Sequence, residues 1–309
     1  METSLPLLGG LGNQLFQLSA ALYNNPGGKI FLISDLGHQR RNRNGNPDIE
    51  SFSLPKRVIL SKAHASHRVC TKAFNLLLKS GIQTQSNFLT TGMSRIISKI
   101  ILCVHTRKNL RFHISKGVGF SEWNPKEESQ MAIGYFQSHI WTSTEKVKEE
   151  LSKLKIIAPS SNFLELEKHL SSNSFIAIHV RLTDYETEPV IGTLDSRYFH
   201  RALENFSDFD RFEIWLFSDD PQRALEMLPS DVKLKCNTFT ESGISANEEW
   251  QLMRYASEFY ISNSTYSWWA ARLAVNPLAK VFVPKPWFAV GPQPDKLIPP
   301  EWVEVGRFE

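Results

Sequence analysis

Three polar segments in the second half of the 309-residue chain carry side chains suited to phosphate. In His179-Val180-Arg181-Leu182-Thr183-Asp184-Tyr185, at the end of an apolar strand-like run, strand alternation puts His179 and Arg181 on one face. A guanidinium fork fits a diphosphate, and an imidazole adds a further hydrogen bond. An Arg181–Asp184 ion pair that only ties down the loop satisfies the same spacing. In Ser218-Asp219-Asp220-Pro221, Asp220 has the position of a helix N-cap with proline at the first helical residue. Asp219 is then the carboxylate left to accept from a base edge or a ribose hydroxyl. Ser262-Asn263-Ser264-Thr265-Tyr266-Ser267-Trp268-Trp269 runs from a strand through a hydroxyl-rich turn into a helix. Free N–H groups and the hydroxyls of Ser264 and Thr265 at a helix N-terminus favour a phosphate. N-capping accounts for part of that pattern, and Trp268 and Trp269 read as a wedge between this helix and the sheet.

The first half has one comparable segment, Gly9-Gly10-Leu11-Gly12-Asn13-Gln14-Leu15-Phe16-Gln17. Its glycines permit positive φ and close backbone approach, which invites a ligand. Leu15, Leu18 and Leu22 then repeat at helical spacing, with Asn13 where an N-cap would stand. A strand–turn–helix corner with no ligand fits equally. The third glycine of a dinucleotide fingerprint would be residue 15, which is Leu15, and no Gly-Lys-Ser/Thr follows, so neither that fingerprint nor a P-loop is present. Asp208-Phe209-Asp210 has metal-site carboxylate spacing but precedes a strand, at the opposite edge from the other segments. His64, His67, His105 and His113 lack a carboxylate or cysteine at ligand spacing, and no metal is expected.

The elements that position these segments alternate regularly. Strand-like runs at Phe175–Val180, Phe212–Phe217, Val232–Cys236, Phe259–Ile261 and Lys280–Val283 are separated mostly by helical stretches at Asp195–Phe206, Pro221–Leu228, Glu248–Ala256 and Ser267–Val275. That order predicts a parallel sheet covered on both faces, with ligands outside the carboxyl ends of its strands. The tail from Pro284 carries six prolines and reads as irregular. In the first half, residues 29–34 read as a strand, Thr144 to Ile156 as a helix capped by Thr144, and Met1–Leu8, with Pro6, as a weak or truncated strand. Two domains are expected, 1–158 and 159–309, with the crossing at the turn-rich Pro159–Asn162.

The net charge of +3 hides an asymmetry. His38 to Lys116 holds 15 Lys/Arg against two acidic residues, a net of +13, while the remainder carries 20 basic and 30 acidic residues. Arg95 to His105 has the pattern of a basic amphipathic helix, which can lie on an anionic membrane or pack on its own domain. No apolar run reaches the roughly 20 residues of a membrane span and no signal peptide is evident, so a cytoplasmic protein is expected. Peripheral contact with the inner membrane face through residues 38–116 is the further expectation. Cys70, Cys103 and Cys236 are too few and too scattered for a disulfide framework or metal site, and they read as reduced thiols. The basic half lacks the aromatic interleaving of a nucleic-acid module, so no nucleic-acid partner is expected.

Six motifs, four of them the segments above, follow in order along nearly the whole chain and resemble those of the bacterial α-1,2-fucosyltransferases, a glycosyltransferase family 11-like group. They are Gly9–Gln17, Gly134-Tyr135-Phe136-Gln137-Ser138, His179-Val180-Arg181, Phe217-Ser218-Asp219-Asp220, Asn263–Trp269 and Pro284-Lys285-Pro286-Trp287-Phe288. The resemblance implies an α/β, GT-B-type fold of two facing Rossmann-like domains with parallel sheets. It implies metal-independent, inverting transfer of L-fucose from GDP-L-fucose to the 2-hydroxyl of a galactose-like acceptor, lipid-linked if the basic half serves a membrane. By the same analogy His179 and Arg181 hold the diphosphate, Asp219 the nucleoside, and Ser264 with Thr265 the phosphates. Gly10, Gly12, Asn13 and Gln14 then close over the donor from the other domain. One position departs from the pattern: Leu182 stands where the family has a second arginine. A lost guanidinium removes transition-state stabilisation at the departing diphosphate unless Arg197 or Lys285 replaces it. Leu182 therefore keeps open a different nucleotide sugar, or a sugar-nucleotide-binding protein without turnover.

Overall fold

The computed structural model describes residues 2–36, 47–65, 67–69, 71–72, 111–115, 118–123, 130–204, 206, 208 and 210–308. They form two compact units, Met1–Leu154 with Pro294–Leu297, and Lys155–Gln293 with Ile298–Glu309. A cut between residues 158 and 159 does not contain the return of Pro294–Leu297 to the first unit.

The first unit holds a parallel five-stranded sheet, β1 (Glu2–Pro6), β2 (Lys29–Ile33), β3 (Val58–Ser61), β4 (Arg111–Ile114) and β5 (Gln130–Ile133), in the order β3-β2-β1-β5-β4. The strand expected to be weak is its centre. Pro6 is the last residue of β1, and Leu7 supplies the next N–H, to the Ile33 carbonyl at 3.1 Å. Buried Leu15, Phe16, Leu18 and Leu22 anchor the helix Leu11–Asn24. That helix begins inside the glycines: its N-cap is Gly10, in extended conformation, with no side-chain cap. Asn13 thus lies in the first turn and is not the cap. The later helix is shorter than its sequence pattern, Glu145–Ser152, and Thr144 stands at its N-cap without a side-chain hydrogen bond.

The second unit is a parallel six-stranded sheet of β6 (Phe175–Val180), β7 (Glu213–Ser218), β8 (Cys236–Thr238), β9 (Glu258–Tyr260), β10 (Lys280–Lys285) and β11 (Val303–Gly306), in the order β11-β10-β9-β6-β7-β8. Every residue of β6 is buried, as a strand covered on both faces must be. Two expectations are corrected. Most of the run read as a strand at Val232–Cys236 belongs to a helix, Ser230–Leu234, and the strand starts at Cys236. The proline-rich tail also contributes β11, paired in parallel to β10 from Phe282↔Val303 to Lys285↔Gly306.

Both sheets reverse their strand order once. The first does so between β1 and β5, the second between β6 and β9. Loops leaving the carboxyl ends of strands diverge at such a point and open a crevice. The glycine loop follows β1 and Gly134–Ser138 follows β5; His179–Arg181 ends β6 and Ser262–Thr265 follows β9. Each switch point is therefore occupied by two of the conspicuous motifs.

Among the described residues no helix is long and apolar enough to cross a membrane, and no three His, Cys, Asp or Glu are grouped to hold a metal ion. The Arg95–His105 stretch, most of residues 38–116, Cys70 and Cys103 lie outside the described residues. Cys236 is a free thiol, pushed up to about 12 by burial.

Candidate active site

At the switch point of the second unit, alternation along β6 continues past the strand's end. Ile176, Ile178, Val180 and Leu182 enter one apolar cluster with Leu194, Tyr198 and Leu216, so His179 and Arg181 project from the other side. His179 is 3% exposed, and its Nδ1 lies 2.8 Å from the Ser262 hydroxyl on the loop after β9. Its ring centroid is 5.5 Å from that of Tyr266. With Nδ1 engaged, Nε2 is the nitrogen left to meet a ligand. Burial, and next the Arg181 charge, lower its pKa to about 3 against the opposing pull of Asp219. The imidazole is neutral throughout the physiological range.

That shift has a consequence for stability. The folded state refuses a proton that the unfolded chain takes up near pH 6.5, so His179 supports folding fully above that pH. The contribution is lost as pH falls from 6.5 toward about 3. By pH 5 the loss is about 2 kcal/mol, and His67, lowered to about 4 chiefly by burial, acts in the same direction. Urea unfolding at pH 5 and pH 7 should show this drop, and His179→Gln should reduce it. Equal stabilities at the two values would contradict the buried neutral imidazole.

Arg181 presents Nε and Nη2 to the two carboxylate oxygens of Asp184, both at 2.7 Å, while its Nε lies 3.5 Å from Asp219. The ion pair weighed from sequence exists. It leaves Nη1 outside these bonds and holds the guanidinium, 5.8 Å from the Tyr185 ring centroid, in one orientation. Asp219 is not the free carboxylate that its sequence position indicated. One of its oxygens accepts the Leu182 N–H at 3.0 Å, and the other accepts the Thr183 N–H at 3.1 Å and the Thr183 hydroxyl. Burial works against its ionisation, but the Thr183 hydroxyl, the Arg181 charge and the Leu182 N–H outweigh that and hold it below the usual carboxylate range. Asp219 clamps the loop that carries Arg181; a direct nucleoside contact would compete with these bonds. Asp220 caps the helix Pro221–Leu225 through the Arg223 N–H, as its spacing predicts.

Leu182 is 4% exposed inside the apolar cluster, and neither proposed substitute replaces a guanidinium there. Arg197 pairs with Asp195 at 2.6 Å and Lys285 with Glu304, and both side chains are largely exposed. Leu182→Arg must bury a charge among Ile178, Val180 and Leu216 or pull the loop off Asp219. A loss on the order of 2 kcal/mol, with no gain in turnover, is expected from denaturation and rate measurements on that variant.

The other wall is the loop after β9. Ser264 is the N-cap of the helix Thr265–Arg272, accepting the Tyr266 N–H at 3.4 Å, and Thr265 opens the helix half-buried, its hydroxyl outside these bonds. Asn263 was not singled out as a contact in the sequence. Its Nδ2 donates to the carbonyls of Ile191 and Gly192, both at 3.0 Å, which fixes the amide's orientation, and its buried Oδ1 has no hydrogen-bond partner. A buried acceptor left open in this way is costly unless a ligand or water donates to it. Trp268 and Trp269 are fully buried, edge to face at 5.0 Å, and wedge the helix. Asp208 and Asp210 are exposed ahead of β7, at the amino edge of the sheet, away from the site.

In the first unit the amides of the glycine segment have structural partners. Gln14 is fully buried, donating to Gly9 O and accepting from Ile49 N–H, both at 2.9 Å. Gln17 accepts the Leu8 N–H at 3.1 Å and donates to Gly134 O at 2.9 Å, tying the loop after β1 to the loop after β5. Asn13 accepts from Gln137 Nε2 at 2.9 Å. Gly12 is buried in the first helical turn, Gly10 is half-buried at the N-cap, and at Gly9 (φ +69°) a Cβ would collide with the Asn13 amide. These contacts place Gln14 and Gly12 in the fold, and leave Gly10 and Asn13 as the accessible members of the segment.

A cation, a neutral imidazole and a hydroxyl-bearing helix N-terminus lie at the switch point of the second parallel sheet, a set suited to phosphate, and the family match makes the chain a glycosyltransferase. Residues 102–304 match glycosyl transferase family 11, and the chain belongs to that family. An Escherichia coli alpha-1,2-colitosyltransferase is 24% identical over 321 residues, covering 97% of this chain and 98% of its own. The Escherichia coli O-antigen biosynthesis glycosyltransferase WbnK is 30% identical over 134 residues, 42% of this chain and 44% of its own. Among solved structures, fucosyltransferase NodZ from Bradyrhizobium superposes with a TM-score of 0.49 at 15% identity, covering 89% of this chain and 93% of NodZ.

Proposed function

We propose that the protein transfers L-fucose from GDP-L-fucose to the 2-hydroxyl of a galactose-like residue of a surface glycan, with inversion and without a metal. The observation that carries this is the convergence of Arg181, His179 Nε2 and the Ser264–Thr265 helix N-terminus at one switch point. Together they offer a fixed positive charge, a neutral donor and the positive end of a helix to a departing diphosphate. His179 acts here as a hydrogen-bond donor, in the tautomer that carries its proton on Nε2 and accepts from the Ser262 hydroxyl at Nδ1. Arg181 carries the charge complementary to the leaving group. A family resemblance and a relative named for O-antigen biosynthesis support a polysaccharide acceptor.

A second reading concerns the donor. The relative that matches nearly the whole chain is named a colitosyltransferase. Colitose is fucose without its 3-hydroxyl, so the two donors differ at one hydrogen-bonding group of the sugar. Incubation with GDP-fucose or GDP-colitose and lactose-type acceptors, followed by GDP assay and product linkage analysis, separates the readings. Transfer from GDP-fucose with a new bond at the 2-hydroxyl supports the first reading, and a preference for GDP-colitose supports the second. Binding of either donor without transfer would make the protein a sugar-nucleotide-binding member, and no binding of either would overturn the assignment of the site.

A further inference from the structure

Inverting transfer needs a base for the acceptor hydroxyl, and among the described carboxylates of the second unit Glu249 stands apart. It is half-buried in the helix Ala246–Met253, and its carboxylate makes no hydrogen bond or ion pair among the described residues, while its backbone N–H donates to Ser245 O at 2.9 Å. On this helix and on the two helices packed against it, Ser161–Ser172 and Thr265–Arg272, Glu165 and Lys168 are exposed and the buried or half-buried ionisable side chains other than Glu249 are engaged. Glu248 accepts the N–H groups of Ser160 and Ser245, both at 2.7 Å. Glu167 accepts from the Tyr255 hydroxyl, Arg254 donates to Leu273 O, His169 pairs with Glu213, and Arg272 pairs with Glu301. Nothing comparable restrains Glu249, and burial alone raises its pKa to about 7. Leaving a carboxylate half-buried and unpaired costs stability, a pattern more often found where function requires the group.

Its placement ties it to the site. The helix follows β8 and starts at the carboxyl edge of the sheet, and Ala246 and Trp250 fasten it to Tyr266 in the first turn of the helix Thr265–Arg272. Trp250 Nε1 donates to Tyr266 O at 3.1 Å, and the Tyr266 hydroxyl donates to Ala246 O at 2.5 Å. The Tyr266 ring in turn lies against His179. Ala246 and Trp250, four residues apart, form the stripe that meets Tyr266. At 100° per residue Glu249 flanks that stripe on one side, and Glu248 lies well around toward Ser160.

We propose that Glu249 is the general base of the transfer, an inference that rests on the transferase reading above. The acceptor hydroxyl loses its proton to the Glu249 carboxylate as its oxygen bonds to the anomeric carbon. The bond from that carbon to the β-phosphate oxygen breaks on the opposite face, and its electron pair leaves with GDP. The proton on Glu249 then passes to solvent.

The test compares wild type with Glu249→Gln. Donor affinity, measured by calorimetry with GDP-fucose, should be unchanged, and kcat should fall by about 10²-fold or more. The wild-type rise of kcat/KM through about pH 7 should vanish in the variant. The variant should also be the more stable protein above pH 7 and no more stable at pH 5. With its folded pKa raised, Glu249 favours folding only while protonated, and that contribution is lost as pH rises through about 7. Retention of transfer within a few-fold, or of the same pH rise, would overturn the assignment. If wild type itself binds a GDP-sugar but never transfers it, the transferase reading falls, and the role of Glu249 falls with it.

Discussion

Arg181→Ala is expected to lower kcat/KM by about 10²–10³, roughly 3–4 kcal/mol of transition-state stabilisation, while the second unit stays folded. The guanidinium is already oriented: Asp184 grips two of its nitrogens and Asp219 lies 3.5 Å from Nε. Burial disfavours its charge, but the bond to Asp184 and the Asp219 charge more than offset this, so its pKa is raised and the cation is permanent. Charge-assisted, pre-oriented donors of this kind act on charge that develops in the reaction and need no rearrangement when it does. Arg181→Lys keeps the charge and loses the fork, so it should fall between wild type and alanine. The competing account, a loop tie with no ligand, makes a different demand. Asp184 is largely exposed and such pairs contribute little to stability, so under that account neither Arg181→Ala nor Asp184→Asn changes turnover by more than a few-fold. Steady-state kinetics of the three variants, with melting temperatures alongside, decide between the accounts.

The parts of this architecture legible in the sequence are those set by local periodicity. Phe175–Val180 is apolar without alternation because both faces of β6 are covered, and that run marks the sheet's centre correctly. Alternation at its end also placed His179 and Arg181 together and, had it been followed one residue further, would have put Leu182 on the apolar side. Leu182 therefore points into Ile178, Val180 and Leu216, an apolar surrounding that offers a guanidinium no partner. What failed was context. Val232–Leu234 has strand-like composition but closes a short helix, and the tail strand β11 contains no sequence signal stronger than Val303 and Val305, because its pairing to β10 is decided by the sheet. Asp219 looked free beside a capping Asp220, since the three donors it accepts lie 36 and 37 residues away in the chain. The same holds for Glu249 and Asn263: an unpaired carboxylate or carbonyl oxygen is defined by what surrounds it, and a sequence records only that the group exists.

The glycine segment shows how a ligand-like motif is also a folding device. Gln14, Gln17 and Asn13 occupy the first two turns of one helix, and between them they bind Gly9, Ile49, Leu8, Gly134 and Gln137, drawn from loops that follow β1, β2 and β5. At the switch point of a sheet these loops diverge, so their backbone N–H and C=O groups find no strand partner and side-chain amides must supply one. Gln17→Ala removes the partner of a buried N–H at Leu8 and of the Gly134 carbonyl at once. Each orphan costs about 1–3 kcal/mol, so a loss of roughly 3–5 kcal/mol is expected in urea unfolding monitored on the first unit. Gln14→Ala should match it, because Gly9 O and the Ile49 N–H are equally dependent. Asn13→Ala should cost about 1 kcal/mol or less, since Asn13 is half-buried and contributes one bond to a side chain that water can serve instead. GDP binding should survive in all three variants at temperatures below their transitions, because the proposed phosphate contacts belong to the second unit. A ranking with Asn13→Ala as the most destabilising, or loss of GDP binding in folded Gln17→Ala, would return these amides to the ligand and remove them from the fold.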